Sequence, residues 1–410
     1  MARPRTSLLG VLVVVLTVAV LTGGVVGWQF WSTRPQGSPV AVEIQDAEVS
    51  PSLAGATVLA LGEATHGNAE FQRLRLQLLQ KLPQFRALAL EEDYGSVAQV
   101  DEWIQGGEGT AEDAVRRFGF RLNQTAEMVE LLQWIRDHNT GLDEPQRIHL
   151  VGIDVQRVTA NKEISLSWLE TYAPRLATEL RIALESWTDD TASDPAVQDK
   201  VAPVVDRLIA SLTDGDGDGD GAVRARDAAE TLRQNLELQQ ATNYARTRAE
   251  LMAANLERTV VEQAGRGNEH TLLVAHNGHV DKEAAAFAHD DLGSLALRRW
   301  GGAYRVIGTE FHHSRLSTGQ GADRWEVSID NPTPLRGLYT GTAVGWIDLG
   351  QLTGENRALV ERPVRMGSAG EGFQQWQAWL PFTNSVEMVP SRSYDALVLV
   401  DQATPTTPLG

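Results

Sequence analysis

The sequence contains no cysteine among its 410 residues. This absence excludes disulfide bonds, thiolate catalysis, zinc sites with cysteine ligands and a lipid-modified cysteine. Positive charge is scarce as well, because 36 Lys and Arg face 54 Asp and Glu, which gives a formal net charge of -18. A protein that binds nucleic acid irrespective of sequence needs a basic face that replaces counterions, so we expect no nucleic-acid partner.

Several catalytic motifs are also absent. The sequence has no G-x-S-x-G nucleophile elbow, no H-E-x-x-H zinc motif, no phosphate-binding P-loop and no dinucleotide fingerprint. These absences weigh against a serine esterase, a zinc protease and a nucleotide-dependent enzyme. A hydrolase that activates water without a covalent intermediate is the simpler interpretation.

The N-terminus carries one long apolar run, over residues 8–26, and no charge lies between Arg5 and Arg34. Such a run is long enough to cross a bilayer of roughly 30 Å as a helix. Basic residues precede the run, and this bias places the rest of the chain outside the cytoplasm. We expect residues 1–34 to form a single-pass anchor in the cell membrane. The alternative is a cleaved signal peptide, which would make the protein secreted.

After a predicted linker over residues 35–48, short β-rich runs alternate with helical patterns. This alternation predicts an α/β fold with a mostly parallel central sheet flanked by helices. The predicted strands are residues 57–61, 87–90, 148–151, 271–274, 304–307 and 396–400. Residues 162–263 are rich in helix-forming residues and predict a helical insertion within a catalytic domain over residues 49–403.

Acidic residues or histidines follow five of the predicted strands. They are Glu63 with His66, Glu91 with Glu92, Asp154, His276 with His279, and Glu310. A single acid after a strand is often only a helix N-cap. In open α/β sheets, however, ligands bind beyond the carboxyl ends of the strands, so five such strands predict one convergent site.

Two motifs together resemble the erythromycin esterase family: GEATHG at residues 62–67 and AHNGH at residues 275–279. Between them lie further matches in the family's order: an acid at Glu91, W-x-R-x-x-N at residues 134–139, G-x-D at 152–154 and R-x-x-x-M-A-x-N at 248–255. One departure is Ala249, where family members often carry an acid. The resemblance spans about residues 58–401. It implies a hydrolase of small-molecule esters or lactones, possible macrolide ring opening, and no required cofactor.

The resemblance and the chemistry of the side chains suggest a role for each residue. His66 is the predicted general base, because imidazole titrates near neutral pH and can take a proton from water. Glu63 is expected to orient the His66 ring or to share the water. His276 and His279 are expected to polarise the substrate carbonyl or stabilise the oxyanion. Glu91 is the predicted second acid.

Three assignments have an open alternative. Glu92 is the fallback for Glu91, since a run of three acids leaves the register uncertain. Arg75 is expected either to bind substrate or to pair with one of the predicted acids. Asp154 is predicted to bind substrate or to act as a supporting carboxylate behind the site.

Two other function classes also fit the sequence. Glu63, His66, His276 and His279 form a plausible nitrogen and oxygen ligand set for a divalent ion, which would make the protein a metal-dependent hydrolase. A non-catalytic surface binding protein that kept the pocket is the third possibility.

The DG-rich segment resembles a calcium loop. Asp216, Asp218, Asp220 and Asp227 fall at positions 1, 3, 5 and 12 of an EF-hand-like loop, and Gly221 falls at position 6. Calcium requires oxygen ligands that converge on one cation, and the glycine allows the sharp turn. A flexible, solvated connection between two helices is the alternative.

Overall fold

A nine-stranded sheet forms the centre of the protein, in a computed structural model that describes residues 34–213, 219–320, 323–380 and 383–410. The strands are β1 (Val42–Glu43), β2 (Val58–Glu63), β3 (Ala87–Asp93), β4 (His149–Asp154), β5 (Thr271–His276), β6 (Tyr304–Gln320), β7 (Asp323–Asp330), β8 (Val344–Asp348) and β11 (Ala396–Ala403). A separate antiparallel pair contains β9 (Val364–Gly367) and β10 (Ser385–Met388).

The strand order in the sheet is β1-β8-β11-β6-β2-β5-β3-β4, and β7 pairs with the far part of β6. The six strands from β11 to β4 in this order are parallel, whereas β1, β7 and β8 are antiparallel to their neighbours. This arrangement confirms the predicted α/β fold with a mostly parallel sheet.

Helices cover the sheet and extend beyond it. They are α1 (Pro51–Ala54), α2 (Ala69–Lys81), α3 (Tyr94–Ile104), α4 (Ala111–Val115), α5 (Ala126–Asn139), α6 (Thr159–Glu170), α7 (Pro174–Ala183), α8 (Pro195–Thr213), α9 (Asp220–Gln240), α10 (Tyr244–Gly265), α11 (Asn277–Val280), α12 (Leu292–Trp300), α13 (Gly354–Val360) and α14 (Pro390–Ser393).

The central strand β2 is buried along its whole length because both faces of the sheet are covered. Successive side chains point to opposite faces of a strand. Leu59 and Leu61 therefore enter one apolar core, while Val58 and Ala60 enter the other. This double burial explains why the strand reads as a continuous apolar run in the sequence.

Five helices, α6 to α10, occupy the stretch that the composition predicted to be helical. Helices α6 to α9 enclose an apolar core of their own, which includes the fully buried Trp187. Helix α10 instead returns to the sheet, where Met252 and Leu256 pack into the same core as Val58. The return of α10 is what brings Arg248 to the end of the parallel strands.

Strand β6 is longer than the sequence predicted. The polar pair Thr309 and Glu310 suggested that the strand ends at residue 307, but it continues to Gln320. The structure accommodates Glu310 within the strand because its carboxylate accepts hydrogen bonds from Gly367 N at 3.0 and 3.1 Å and from Asn331 Nδ2 at 2.9 Å. Glu310 thus lies inside a strand and not beyond its carboxyl end.

The predicted linker over residues 35–48 packs on the edge of the sheet. Val42 and Glu43 form β1, which pairs antiparallel with β8, and Gln36 N donates to the Pro334 carbonyl at 2.9 Å. The predicted anchor at residues 8–26 lies outside the residues that the structure describes. None of the helices within the described ranges has the length and apolar character needed to cross a membrane.

The predicted calcium loop is covered only in part. Asp216 and Asp218 lie outside the described residues. Asp220 begins helix α9, and Asp227 lies in its interior, where Oδ1 is 3.7 Å from an Arg258 guanidinium nitrogen. Positions 5 to 12 of the predicted loop are therefore helical, and calcium binding by this segment stays a prediction.

Candidate active site

The loop between β2 and α2 carries His66 and is held tightly against β6. Gly67 O accepts from Ser317 N at 3.0 Å, and Asn68 Nδ2 donates to the Arg315 carbonyl at 3.0 Å. A Cβ at Gly67 would lie only 1.9 Å from the Ser317 carbonyl oxygen. Asn68 occupies the N-cap position of α2 without a side-chain cap hydrogen bond, so neither Glu63 nor His66 is the N-cap of that helix.

Glu63 holds the His66 ring from behind. His66 Nδ1 lies 3.0 Å from Glu63 Oε2, and Arg75 binds the same carboxylate through Nε at 2.8 Å and Nη2 at 2.9 Å. Burial by itself raises the pKa of Glu63, but Arg75 and His66 outweigh it and lower the pKa to about 2. Burial lowers the pKa of His66, yet the hydrogen bond to Glu63 and the charge of Glu91 raise it above 6.5 overall.

Glu91 lies at the centre of the charged groups. Its Oε1 is 2.7 Å from Arg248 Nη2, its Oε2 accepts from His276 N at 2.8 Å, and Oε2 is 3.8 Å from His66 Nε2. Burial opposes ionisation, but the charges of His279 and Arg248 dominate, and the pKa of Glu91 is strongly lowered. Glu91 is therefore an anion that faces several cationic groups.

Asp154 fixes the other side of Arg248. The guanidinium contacts the Asp154 carboxylate through Nη2 at 2.5 Å and through Nε at 3.1 Å, and Asp154 is completely buried. A buried charge pair of this kind needs good geometry to offset the desolvation of both ions. Arg248 is thus clamped between two carboxylates, those of Asp154 and Glu91.

His276 is neutral. Its Nδ1 accepts a hydrogen bond from Gly278 N at 3.2 Å, so the ring proton is on Nε2. Burial and the neighbouring charge of His66 lower the pKa of His276 to about 3. Nε2 is buried, and the Ala64 carbonyl lies near enough to the ring to raise its pKa slightly.

His279 has polar partners at both ring nitrogens. Nδ1 lies 3.0 Å from Asp291 Oδ2, while Nε2 lies 3.1 Å from Arg248 Nη1 and 3.3 Å from Glu91 Oε1. Burial lowers the pKa of His279, but Glu91 and Asp291 raise it above 6.5 overall. The ring also stacks on Phe287, with 5.5 Å between the ring centroids.

These groups line a cleft of about 390 Å³ at the carboxyl ends of the parallel strands. Its polar lining consists of His66, Glu91, Arg248, His276 and His279 together with Asn123, Gln156 and Glu371. Phe120, Leu122 and Phe287 supply apolar surface, and Gly370 and Glu371 belong to the loop after β9. The cleft therefore combines imidazole, carboxylate and guanidinium groups with apolar surface.

The predicted site residues are divided between the cleft and the layer behind it. His66, Glu91, His276 and His279 line the cleft, and Glu63 contacts His66 directly.

Arg75 and Asp154, predicted to bind substrate, are buried behind the cleft and pair with Glu63 and Arg248. This placement matches the alternatives that the sequence left open, ion pairing for Arg75 and support for Asp154.

Glu92 points away from the cleft. Its carboxylate accepts from Asn123 Nδ2 at 2.9 Å and from Phe120 N at 3.1 Å, and burial raises its pKa to about 8. Glu91 and Glu92 are adjacent in β3, and successive side chains of a strand point to opposite faces, so only one of the two faces the site. The second acid of the cleft is therefore Glu91, whereas Glu310 lies inside β6, outside the cleft.

Two residues of this network were not predicted as site residues. Arg248 belongs to the R-x-x-x-M-A-x-N motif at residues 248–255, so a charged residue in a matched motif was the available signal. Asp291 had no such signal, because only the fold brings it to His279. Its position before helix α12 makes it look like an ordinary N-cap in the sequence.

The arrangement of the described residues does not support the metal-dependent alternative. Within the described ranges, no three His, Asp or Glu side chains are arranged to hold a metal ion. The Nδ1 atoms of His66, His276 and His279 instead face Glu63, the Gly278 N–H and Asp291.

The fold and the cleft define a class of α/β enzymes with a histidine–carboxylate centre at the carboxyl ends of parallel strands. Within that class, the chain belongs to the erythromycin esterase family, whose family model, described as erythromycin esterase, matches residues 83–403. The match includes Glu91, Arg248, His276 and His279 and begins after the loop that carries His66. Membership makes the chain an ester hydrolase in general terms, and it confirms the resemblance found in the sequence.

Solved structures share this fold. A Bacillus cereus protein is 18% identical, with 92% of this chain and 95% of that chain covered and a TM-score of 0.72. A succinoglycan biosynthesis protein is 17% identical, with coverage of 91% and 96% and a TM-score of 0.71. A histidine-to-asparagine mutant of the erythromycin esterase EreC, in its open conformation, is 18% identical, with coverage of 90% and 98% and a TM-score of 0.62.

Proposed function

We propose that the chain hydrolyses carboxylic esters or lactones, with His66 as the general base that takes a proton from water. The observation that carries the proposal is the setting of the His66 ring, which lines the cleft while Nδ1 lies 3.0 Å from Glu63 Oε2. When the Nδ1 proton is donated to Glu63, the Nε2 lone pair remains available for the proton of a bound water. The raised pKa of His66 makes this lone pair more basic.

His276 supplies the donor that the substrate carbonyl needs. Its ring lines the cleft, and its pKa of about 3 keeps the ring neutral across the working pH range. A neutral imidazole N–H polarises a carbonyl without giving up its proton. As water adds, negative charge develops on the carbonyl oxygen, and a preorganised donor stabilises that charge.

The apolar wall supports an ester with apolar groups as substrate. Phe120, Leu122 and Phe287 line the cleft, and Phe287 stacks on His279. Burial of apolar substrate surface against such a wall favours binding by about 25 cal/mol per Å². Macrolactones fall within this substrate class, and we include macrolide ring opening in the proposal because a structural relative is an erythromycin esterase.

The test is a hydrolysis screen of the purified full chain against macrolides, simple lactones and simple esters. We expect turnover of at least one class, and a fall in kcat of about a hundredfold or more for His66→Asn, as loss of a general base implies. His138→Asn, at an exposed position of helix α5, is the matched control and should retain full activity. Turnover near the wild-type value in His66→Asn, with unchanged thermal stability in both variants, would sink the assignment of the base.

We also propose that the catalytic domain lies outside the cytoplasm and is anchored through residues 8–26. The support is the apolar run with basic residues before it. Cell fractionation should find the full-length chain in the membrane fraction. In a separate experiment, protease added to intact spheroplasts should cleave the chain. Full-length protein in the cytosolic fraction would contradict the proposal, and a soluble product that begins near residue 30 would identify a cleaved signal instead.

A further inference from the structure

We propose that His279 is the general acid that protonates the leaving alkoxide, and that Asp291 is the positioning residue that makes it one. This inference rests on the hydrolase function proposed above. It assigns one proton transfer to each of two histidines: His66 takes the proton from water, and His279 gives a proton to the leaving group.

Asp291 is built to hold the His279 ring in one orientation. The carboxylate is completely buried, and it lies 3.0 and 3.3 Å from His279 Nδ1. It is also the N-cap of helix α12: Oδ1 accepts from Leu292 N at 2.7 Å, and a capping box with Ser294 completes the cap. A helix N-terminus favours a carboxylate at this position and fixes its direction.

The other ring nitrogen of His279 has a partner for each protonation state. Nε2 lies 3.1 Å from Arg248 Nη1 and 3.3 Å from Glu91 Oε1. One nitrogen cannot accept from Arg248 and donate to Glu91 at the same time. The protonated ring donates to Glu91, and the neutral ring, with its proton on Nδ1, accepts from Arg248. A group that gives up a proton and regains it in each turnover needs this pair of partners.

The charged surroundings favour the protonated ring before reaction. Four ionisable groups face His279: Glu91, Asp291 and Arg248 through the contacts above, and neutral His276, whose ring centroid is 6.5 Å away. The two carboxylates outweigh burial and Arg248. The contacts with the two carboxylates thus favour a proton on the ring, which lines the same cleft as His66.

Two proton transfers accompany the proposed hydrolysis. His66 takes a proton from water while the hydroxide oxygen bonds to the carbonyl carbon. The tetrahedral intermediate breaks its bond to the alkoxy oxygen, which leaves with the electron pair and takes the proton from His279 Nε2. The products are a carboxylic acid and an alcohol, and one proton must then return from His66 to His279. Glu91 lies between the two Nε2 atoms, at 3.8 Å from His66 and 3.3 Å from His279, and offers the path.

The experiment compares two esters of one acid, an alkyl ester and a 4-nitrophenyl ester. An alkoxide is a poor leaving group that needs a proton, whereas 4-nitrophenolate leaves without one. For Asp291→Asn and for His279→Asn we expect kcat on the alkyl ester to fall about a hundredfold or more, the usual effect of losing an acid. Turnover of the 4-nitrophenyl ester should fall less than about fivefold, because the acid is not needed there.

Two controls separate catalysis from folding. Asparagine is as good an N-cap as aspartate, so Asp291→Asn keeps helix α12 and should leave the melting temperature close to the wild-type value. Asp290→Asn, at the exposed neighbouring position, should leave both activities unchanged. A second readout is the pH profile: in Asp291→Asn the alkaline limb of kcat on the alkyl ester should move to lower pH, because a charge that raises the pKa of His279 is gone.

The outcomes distinguish this inference from the proposed function. If the wild type hydrolyses both esters and Asp291→Asn loses activity on both equally, His279 is not the acid and only this inference falls. The same holds if His66→Asn alone shows the dependence on the leaving group, because one histidine would then serve as base and acid. If the wild type hydrolyses no ester or lactone, the proposed function falls and takes this inference with it.

Discussion

At the scale of single residues, three histidines in one cleft differ because their neighbours differ. His66 and His279 each have a carboxylate at Nδ1, and Glu91 adds a second negative charge, so the pKa of both is raised. His276 has only a backbone N–H at Nδ1, and burial lowers its pKa to about 3. One residue type is thereby given three different protonation behaviours, which the proposed roles of base, neutral donor and acid require.

The pH dependence of turnover should show the environment of His66. A base must be deprotonated to act, and the folded pKa of His66 lies above 6.5, so kcat/KM should fall as the pH drops through a midpoint above that value. Glu63→Gln removes the charge that raises this pKa, and the midpoint should move to lower pH. A pH–rate profile of both proteins measures this shift, and an unchanged midpoint would show that another group controls the acidic limb.

Arg75 should matter for stability, since it is buried against Glu63. Only 3% of the Arg75 side chain is exposed, whereas 46% of the Arg73 side chain on the same helix is exposed. Arg75→Ala leaves Glu63 buried without its cation, and removing one partner of a buried pair costs about 3–5 kcal/mol. Arg73→Ala should change stability by less than about 0.5 kcal/mol. Denaturant unfolding at pH 7 measures both, and equal values for the two would refute the role of the buried pair.

At the scale of elements, close packing against β6 fixes the loop after β2, and the loop in turn positions His66. Gly67→Ala would bring a Cβ to 1.9 Å from the Ser317 carbonyl oxygen, so the loop must shift. A displacement of about 1 Å near a reacting group can cost a hundredfold in rate, and we expect kcat to fall by about tenfold or more.

The control for this substitution is Gly265→Ala, at the end of helix α10, where a Cβ would meet no heavy atom within 4 Å. It should leave kcat and the melting temperature nearly unchanged. Wild-type kcat in Gly67→Ala would mean that the loop tolerates the shift and does not set the position of the base.

At the scale of the whole molecule, buried acids set the pH of maximum stability. The pKa of Glu63 falls from 4.5 to about 2 on folding, so it contributes about 3 kcal/mol at pH values above 4.5, and this is lost as the pH falls to 2. The pKa values of Glu92 and Glu310 rise to about 8, so these acids lower stability as the pH rises from 4.5 to 8. The pKa values of His66 and His279 are also raised, so stability falls further as the pH rises above 6.5.

We therefore expect the melting temperature of the full chain to be highest in a narrow window around pH 4.5. Scanning calorimetry from pH 3 to pH 9 should show a decline on both sides of that window. In Glu63→Gln the melting temperature should depend less on pH on the acidic side of this window, because the variant lacks the carboxylate that takes up a proton there. A melting temperature that keeps rising to pH 9 would contradict the raised pKa values of the buried acids.

The sequence by itself determined the fold class, the helical stretch and the histidines of the cleft. Apolar runs that alternate with helical patterns are local signals, and parallel strands always bring their carboxyl ends to one edge. His66, His276 and His279 could therefore be placed together from their positions after strands. Strands β1, β7, β8, β9 and β10 and the continuation of β6 were missed, because these segments are short or are interrupted by polar residues.

Only the tertiary structure decided which charges face each other. Glu91 and not Glu92 lines the cleft, and helix α10 brings Arg248 to Glu91 across 157 positions of sequence. Asp291 reaches His279 in the same way, as the cap of a helix that packs beside it. A sequence pattern predicts the face of an element on which a residue lies. The pairing of buried charges depends on how distant elements pack, because each ion must find its partner within about 4 Å to offset its desolvation.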